Sequence, residues 1–379
     1  MDKQKVTKQM WVWDGDQEKM VYREITYAPL LYKIFDEILV NAADNKQRDE
    51  SMDCIRIDID VDRNEITIYN NGKGIPVFEH ETEECYVPTL IFDTVLTPSN
   101  CYDDEEKKLV GGRNGFKAKH CNTFSTKFKV QTSSKEYQKL FSQIWKKNMT
   151  KIKDPKIGAN AAEDFTRISF KPDLSQFKMN RLDKDIVALF SRRAYDIAGT
   201  TRDVNVYLNG KKLPISGFKD YVKLFVKDRQ DEIGNDIKVV HQKVNDRWEI
   251  AATVSNNGFQ QISFVNGIAT TRGGKHVDHL TDQIVNKVAE VIKTENQVGI
   301  NVEPSQIRNH LWVFVNCWIE NPEFDSPKNE TMTLKVERFG STCSPSTNFV
   351  HKIYKVGIAE AVLSKELSKT GSIQQTGRL

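Results

Sequence analysis

Between Leu30 and Gln47 the apolar residues fall at Leu31, Ile34, Phe35, Ile38, Leu39 and Ala42, the spacing of one face of an amphipathic helix. From Cys54 the period shortens. Ile55, Ile57, Ile59 and Val61 alternate with Arg56, Asp58 and Asp60, turn residues run from Asp62 to Glu65, and Ile66 and Ile68 resume the alternation. This predicts a hairpin with one buried face. Thr126 to Thr132, Thr166 to Lys171 and Val204 to Leu208 read as further strands, the last closed by an Asn209-Gly210 turn, with a helix over Leu182 to Ala198. Turn-forming residues at Leu213-Pro214-Ile215-Ser216-Gly217 then break the pattern, which places a domain boundary there and divides the chain into residues 1–216 and 217–379. Beyond it, strands are predicted at Val239 to Val244, Trp248 to Val254, Gln260 to Val265 and Leu311 to Ile319, with a helix over Val277 to Thr294. A strand, a long helix and another strand form a crossover unit. The tail after Phe349 turns helical through Ile358 to Leu367.

Composition narrows the functional classes. The chain is 39% hydrophobic and 28% charged, a folded globular profile, and 55 Lys+Arg against 52 Asp+Glu leave +3, so bulk charge points to no polyanionic partner. The six cysteines are scattered without a CxxC pair, which suits reduced thiols and argues against structural zinc. No apolar leader opens the chain, and the longest strongly apolar stretch, Leu311 to Ile319, is interrupted by Asn316. Neither secretion nor membrane contact is expected.

Three polar sets carry candidate chemistry. Glu37, Asn41, Asp44 and Asn45 form a stripe beside the apolar face of the first helix. A carboxylate next to carboxamides can orient a water and ligate a hard cation through oxygen, although a solvated helix face would look the same. Asn70-Asn71-Gly72-Lys73-Gly74-Ile75-Pro76 follows the hairpin, where glycines permit close backbone approach and an Asn amide can pair with a purine edge; a strand-end turn is the structural alternative. Gly111-Gly112-Arg113-Asn114-Gly115-Phe116-Lys117-Ala118-Lys119 follows the acidic Tyr102 to Lys108, and its N–H groups and cations suit anionic oxygens, especially if a helix starts at Ala118. It does not fit the P-loop pattern, and a surface loop is again the alternative. Asp58-Ile59-Asp60-Val61-Asp62 is explained by strand alternation, and His276 with His279 by structural or surface roles.

Together these sets resemble the ATP-binding motifs shared by gyrases, Hsp90-type chaperones, histidine kinases and MutL proteins. More closely, FDEILVNAADNKQRD at Phe35 to Asp49, with NNGKGIPV, YVPTLIF, LTPSN and GGRNG, is similar to the N-terminal ATPase of eukaryotic type IIA DNA topoisomerases. FQQISFVNGIATTRGGKHV at Phe259 to Val277, Ile319-Glu320-Asn321-Pro322 and Phe339-Gly340-Ser341 resemble the transducer of that family. The resemblance implies an α+β architecture: a two-layer Bergerat-type ATPase sandwich with an N-terminal strap containing Trp11 and Trp13, then a transducer of ribosomal-protein-S5-like fold with a crossover helix.

It also implies ATP and Mg²⁺ as cofactors. Glu37 would be the general base, Asn41 the Mg²⁺ ligand, Asp44 and Asn45 phosphate-side neighbours, and Asn70 and Thr166 the adenine contacts near Gly74 and Ile75. Ser99 and Asn100 would touch ribose and phosphate. Gly112, Arg113, Asn114, Gly115, Phe116, Lys117, Ala118 and Lys119 would form the lid, and Lys328 would reach the γ-phosphate. The implied partners are double-stranded DNA, a second copy in a homodimer clamp and the DNA-cleavage region of the same enzyme, in the nucleus. No cleavage chemistry is expected from these 379 residues alone.

The sequence departs from the family pattern at four places: Pro98 stands where serine is common, Lys293-Thr294-Glu295-Asn296-Gln297 keeps one cation of a usually lysine-rich loop, and two more bear on hydrolysis. Lys117 stands where the lid GGRNGYGAK has its third glycine, and Ser326-Pro327-Lys328-Asn329-Glu330 replaces SQTKEN, so Lys328 matches the family lysine only with a one-residue slip. Two readings follow: a working ATP-operated clamp, or a nucleotide-binding or dimerisation module with impaired hydrolysis.

Overall fold

The computed structural model describes residues 3–93, 109, 116–159, 163–230, 234, 236–295, 302–326 and 328–363. Two compact units divide the chain, Met1–Gly217 and Phe218–Leu379.

The first unit opens with an antiparallel hairpin, β1 (Val6–Asp14) and β2 (Lys19–Tyr27), which the apolar pattern alone did not reveal as strands. Helix α1 (Pro29–Arg48) starts on a proline at its first turn, where the missing N–H costs nothing, and buries Leu31, Ile34, Phe35, Ile38 and Leu39. The predicted hairpin forms as β3 (Cys54–Asp60) and β4 (Glu65–Asn71), with Ile55, Ile57, Ile66 and Ile68 buried and Asp58 exposed. Then come α2 (Val87–Asp93), α3 (Phe116–Thr123), β5 (Ser125–Ser134), β6 (Lys139–Lys146), β7 (Lys151–Ile152), β8 (Lys156–Ala159) and β9 (Phe165–Pro172). After a 3-10 turn at Leu174–Phe177, α4 (Lys184–Thr200) is capped by Asp183, whose side chain accepts from Ile186 N–H. Strands β10 (Asn205–Leu208) and β11 (Lys211–Lys212) flank the Asn209-Gly210 turn, where both residues have positive φ.

Nine strands make one mixed sheet in the order β11-β10-β3-β4-β9-β5-β6-β7, with β8 on β6; β10 and β3 run parallel and the remaining pairs antiparallel. Helices α1, α3 and α4 cover one face. The N-terminal hairpin rests on α4 of its own chain: Trp13 stacks on Tyr195 at 3.9 Å, and Arg192 donates to the Trp11 carbonyl at 2.9 Å.

The second unit begins with α5 (Phe218–Val226), directly after the turn residues Leu213 to Gly217 and in a stretch given no element from the sequence. Strands β12 (Val240–Asn245), β13 (Trp248–Val254), β14 (Gln260–Val265), β15 (Ile268–Ala269) and β16 (Leu311–Cys317) form a five-stranded sheet in the order β12-β13-β16-β14-β15. Helices α6 (Lys275–Glu295) and α7 (Pro304–Asn309) connect β15 to β16. Because β14 and β16 pair in parallel, the predicted crossover is present. Val277, Leu280, Ile284 and Val288 of α6 bury one stripe against the sheet. Helix α8 (Thr347–Ile353) is capped by Ser346 and runs on through Tyr354–Ile358, with a kink at Gly357, whose φ of 112° is not helical. The tail helix therefore starts earlier than its sequence suggested. Among the described residues no helix is long and apolar enough to cross a membrane.

Candidate functional site

Helix α1 packs over β4 and β9. The covered face of those strands is apolar along most of its length, through Ile66 and Ile68, Ile168 and Phe170, and Phe128 and Val130 of neighbouring β5. At one end it turns polar. Asn70 pairs in register with Thr166, and Thr166 with Thr132, so three polar side chains lie in one row across β4, β9 and β5. Asn70 is 4% and Thr132 0% exposed. The Thr132 hydroxyl donates to the Phe165 carbonyl at 2.9 Å, accepts from the Ile75 N–H at 2.9 Å, and lies 3.2 Å from Thr166 Oγ1. Thr132 was not anticipated, because its role depends on a strand neighbour remote in sequence.

The loop after β4 is held against both layers. Asn71 Oδ1 accepts from Asp53 N–H and Cys54 N–H, and the Asn71 carbonyl accepts from Asn70 Nδ2 at 2.9 Å and, more weakly, from Asn45 Nδ2 at 3.4 Å. Asp49, just past the end of α1, accepts from Lys73 N–H at 2.7 Å. Hydrogen bonds from the Ser51 side chain hold the Asp49 carboxyl below the usual carboxylate range, with smaller contributions from the Ser51 and Lys73 N–H groups. Gly74 is required by contact rather than by φ. A Cβ there would lie deep in the shell of the Ser133 carbonyl oxygen and 2.9 Å from Thr132 Oγ1. Gly72 is constrained twice, by φ of +83° and by Met52 Cβ at 2.8 Å.

On α1, Glu37, Asp44 and Asn45 are buried and Asn41 is half-buried, so the predicted polar stripe lies at the edge of the core rather than in solvent. Lys33, one turn earlier, places Nζ 2.7 Å from Glu37 Oε1 and 3.3 Å from Asp36 Oδ2. Burial works against the Lys33 ammonium, but Asp36 and Glu37 outweigh it and hold its pKa above the ordinary lysine value. Asp36 in turn meets the fully buried Arg193 of α4 at 2.6 Å, and Arg193 approaches Asp196 at 3.7 Å. Burial raises the Asp36 pKa, Arg193 and Lys33 lower it, and the net shift is downward. Sequence reading passed over Lys33, Asp36 and Arg193, although the i,i+4 spacing of Lys33 and Glu37 was a usable signal.

Helix α3 begins at Phe116, two residues before the expected start. Ala118 and Lys119 are buried on it. Burial raises the nearby Asp93 carboxyl, while the Trp145 Nε1–H bond at 3.2 Å and the Lys119 charge pull it partly back. Phe116 and Lys117 belong to the same helix, whereas Ser99, Asn100, Gly112, Arg113, Asn114 and Gly115 lie outside the described residues, as does the acidic Tyr102 to Lys108.

In the second unit Lys328 sits exposed on a tight turn, its N–H 3.3 Å from Ser326 Oγ, followed by Asn329 at φ of 60°. The segment just after it is pinned: Arg272 N–H donates to Glu330, Met332 N–H to Gly273 and Lys275 N–H to Met332 at 2.9, 3.0 and 3.0 Å. Gly274 permits this, since a Cβ there would strike the Met332 backbone. Gly340 has the same role beside Glu320, which also receives Arg247 at 2.9 Å. His276 is buried with Nε2 3.0 Å from Thr270 Oγ1 and His279 contacts Gln283 and Phe339, both structural roles.

The site brings the Asn70 amide and the half-buried Thr166 hydroxyl to one end of the sheet, seated by the fully buried Thr132, with carboxylates and carboxamides along α1 beside it. Residues 26–156 match the family described as histidine kinase-, DNA gyrase B-, and HSP90-like ATPase, and residues 217–376 match DNA gyrase B. DNA topoisomerase 2-alpha of Mus musculus is 58% identical over 359 residues, which are 95% of this chain and 23% of that protein, so the chain spans about a quarter of this relative. The ATPase region of Saccharomyces cerevisiae topoisomerase II superposes with a TM-score of 0.88 at 44% identity, covering 96% of this chain and 93% of that one. The ATPase and transducer domains of Balamuthia mandrillaris DNA topoisomerase II give 0.88 at 43% identity, over 97% and 93% of the two chains. With both units matched end to end by solved ATPase regions, this chain belongs to the eukaryotic type II DNA topoisomerases and corresponds to their ATPase and transducer region.

Proposed function

We propose that this chain binds and hydrolyses ATP and works as the ATP-operated clamp of a type II DNA topoisomerase. The observation that carries the reading is the buried Glu37 on α1, with Asn41 one turn further on, above a sheet end lined by Asn70, Thr166 and Thr132. Asn70 and Thr166 present amide and hydroxyl groups suited to an adenine edge, and Asp44 and Asn45 continue the polar stripe along the phosphates. Glu37 takes a proton from water as the water oxygen bonds to the γ-phosphorus and the bond to the β,γ-bridging oxygen breaks, giving ADP and phosphate. Most of the remaining rate enhancement in such transfers comes from positioning and charge neutralisation.

Among the described residues there is no cluster of three or more His, Cys, Asp or Glu side chains arranged for a metal. The half-buried Asn41 carboxamide on α1 is an oxygen donor that fits Mg²⁺, an ion that keeps several waters and takes few protein ligands. When bound, Mg²⁺ would neutralise charge on the phosphates. Ser99, Asn100 and the residues from Gly112 to Lys119 are proposed as ribose contacts and phosphate lid, and Lys328 as a γ-phosphate contact.

We further propose that ATP closes two copies into a homodimer around a double-stranded DNA segment, in the nucleus, and that the DNA-cleavage region of the same enzyme passes one duplex through another. Sedimentation with Mg²⁺, with and without a non-hydrolysable ATP analogue, tests the clamp. A shift from monomer to dimer with the analogue is expected, and a monomer in both removes the mechanism. Analogue binding without ATP turnover would favour the impaired-hydrolysis module instead.

A further inference from the structure

Buried ammonium groups are costly unless paired, so the partner of Lys33 identifies what its burial achieves. Its side chain is 12% exposed, and those of Asp36 and Glu37 are 7% each. Asp36 already has a close counter-charge: Arg193 Nε lies 2.6 Å from Asp36 Oδ1 with no exposure of its own, although Arg193 also approaches Asp196. The shorter Lys33 contact is the one to Glu37 Oε1, an ion pair at 2.7 Å outside hydrogen-bond geometry, whereas Lys33 donates its hydrogen bond to Asp36 Oδ2 at 3.3 Å. Asp36, held by Arg193, thus serves as a fixed second anchor for the ammonium.

We infer that Lys33 is a positioning residue for Glu37, its ion pair to Oε1 fixing the carboxylate in the orientation that receives the proton of the attacking water. This rests on the hydrolysis reading above. A glutamate side chain has three rotatable bonds, and a displacement of about 1 Å in a reacting group can cost on the order of a hundredfold in rate. An i,i+4 partner on the same helix removes that freedom at the cost of one buried lysine, itself secured by Asp36 and Arg193. Lys33 transfers no proton in the step, and both bonds that change remain those between water, Glu37 and the γ-phosphate.

The test compares Lys33→Met and Lys33→Arg with the wild type in full ATP kinetics, together with affinity for a non-hydrolysable analogue. Lys33→Met is expected to lower kcat about ten- to a hundredfold, with KM and analogue Kd within about twofold. Lys33→Arg, which keeps a donor cation, is expected to recover most of kcat. A nucleotide-free readout is the double-mutant cycle of Lys33→Met and Glu37→Gln on thermal unfolding, where a paired lysine gives non-additive Tm shifts. If Lys33→Met does not fold, Lys33→Gln takes its place in both measurements. Full kcat in the lysine variant, a loss confined to analogue affinity, or additive Tm shifts overturn this inference alone. Absence of turnover in the wild type overturns the hydrolysis reading, and this role with it, whatever the unfolding cycle gives.

Discussion

Gly74→Ala isolates the contact on which the loop and sheet end depend. The added methyl would lie 2.9 Å from both the Ser133 carbonyl carbon and Thr132 Oγ1, and closer still to the Ser133 oxygen, where ordinary contact needs 3.4 Å or more. The obstacle is β5 backbone rather than a flexible side chain, so either the loop lifts off or β5 bends. Overpacking of this kind costs about 1–3 kcal/mol. For a unit of this size each kcal/mol lowers Tm by about 2–4 °C, so a drop of roughly 2–12 °C is expected. Lifting the loop also breaks the bond from Ile75 N–H to Thr132 and moves the chain that follows Asn70. Analogue affinity should fall at least about tenfold, or ~1.4 kcal/mol. Gly158→Ala is the control, because nothing lies within 4 Å of a Cβ there. Differential scanning fluorimetry and analogue titration read both effects. A Gly74→Ala protein with Tm within about 1 °C and affinity within twofold of the wild type would refute the argument that this contact seats the site.

Three further outcomes follow from the buried charges and the exposed turn. Arg193→Met removes the fully buried cation between Asp36 and Asp196, leaving them Lys33 and Arg192, and should cost about 3–5 kcal/mol in urea unfolding; a loss below about 1 kcal/mol would mean that those two cations suffice. Burial lowers the His276 pKa from 6.5 to about 3, so below pH 6.5 the unfolded chain takes up a proton that the folded chain refuses. Stability should therefore fall as pH drops from 6.5 toward about 3, and the wild type should lose about 1.4 kcal/mol per pH unit more than His276→Asn; parallel curves would contradict this. Lys328→Ala, on an exposed turn, should leave Tm within about 1 °C while lowering ATP turnover and weakening an analogue that carries the γ-phosphate, and unchanged turnover and affinity would remove its proposed role.

What the sequence made legible followed from local periodicity. Helix α1 and the β3–β4 hairpin were readable because their burial follows the backbone period, and β13 and β14 as short apolar runs buried on both faces; each lies within one or two residues of its expected bounds. Strand β6 escaped notice because the buried Gln143 interrupts its apolar row between Phe141 and Trp145. Strand β1 carries apolar residues on both faces, with Val12 buried and Trp11 and Trp13 half-buried on the side of Tyr22 and Tyr195. Helix α5 does show helical spacing at Phe218, Tyr221, Val222 and Phe225, but the preceding turn residues masked it. At the site, Glu37, Asn41 and Asn70 stood out in motifs, and Thr166 entered only through the family resemblance. Thr132, Asp49 and Arg193 did not stand out, since each matters only through a partner brought near by the fold.

The central claim is that Glu37 makes this chain a nucleotide hydrolase. Phosphate release from ATP with Mg²⁺, measured for the wild type and for Glu37→Ala at matched analogue occupancy, tests it most directly. The expected result is wild-type turnover about a hundred- to ten-thousandfold above the variant, as general-base removal costs, with both proteins binding the analogue. Wild-type turnover no greater than that of Glu37→Ala would contradict it.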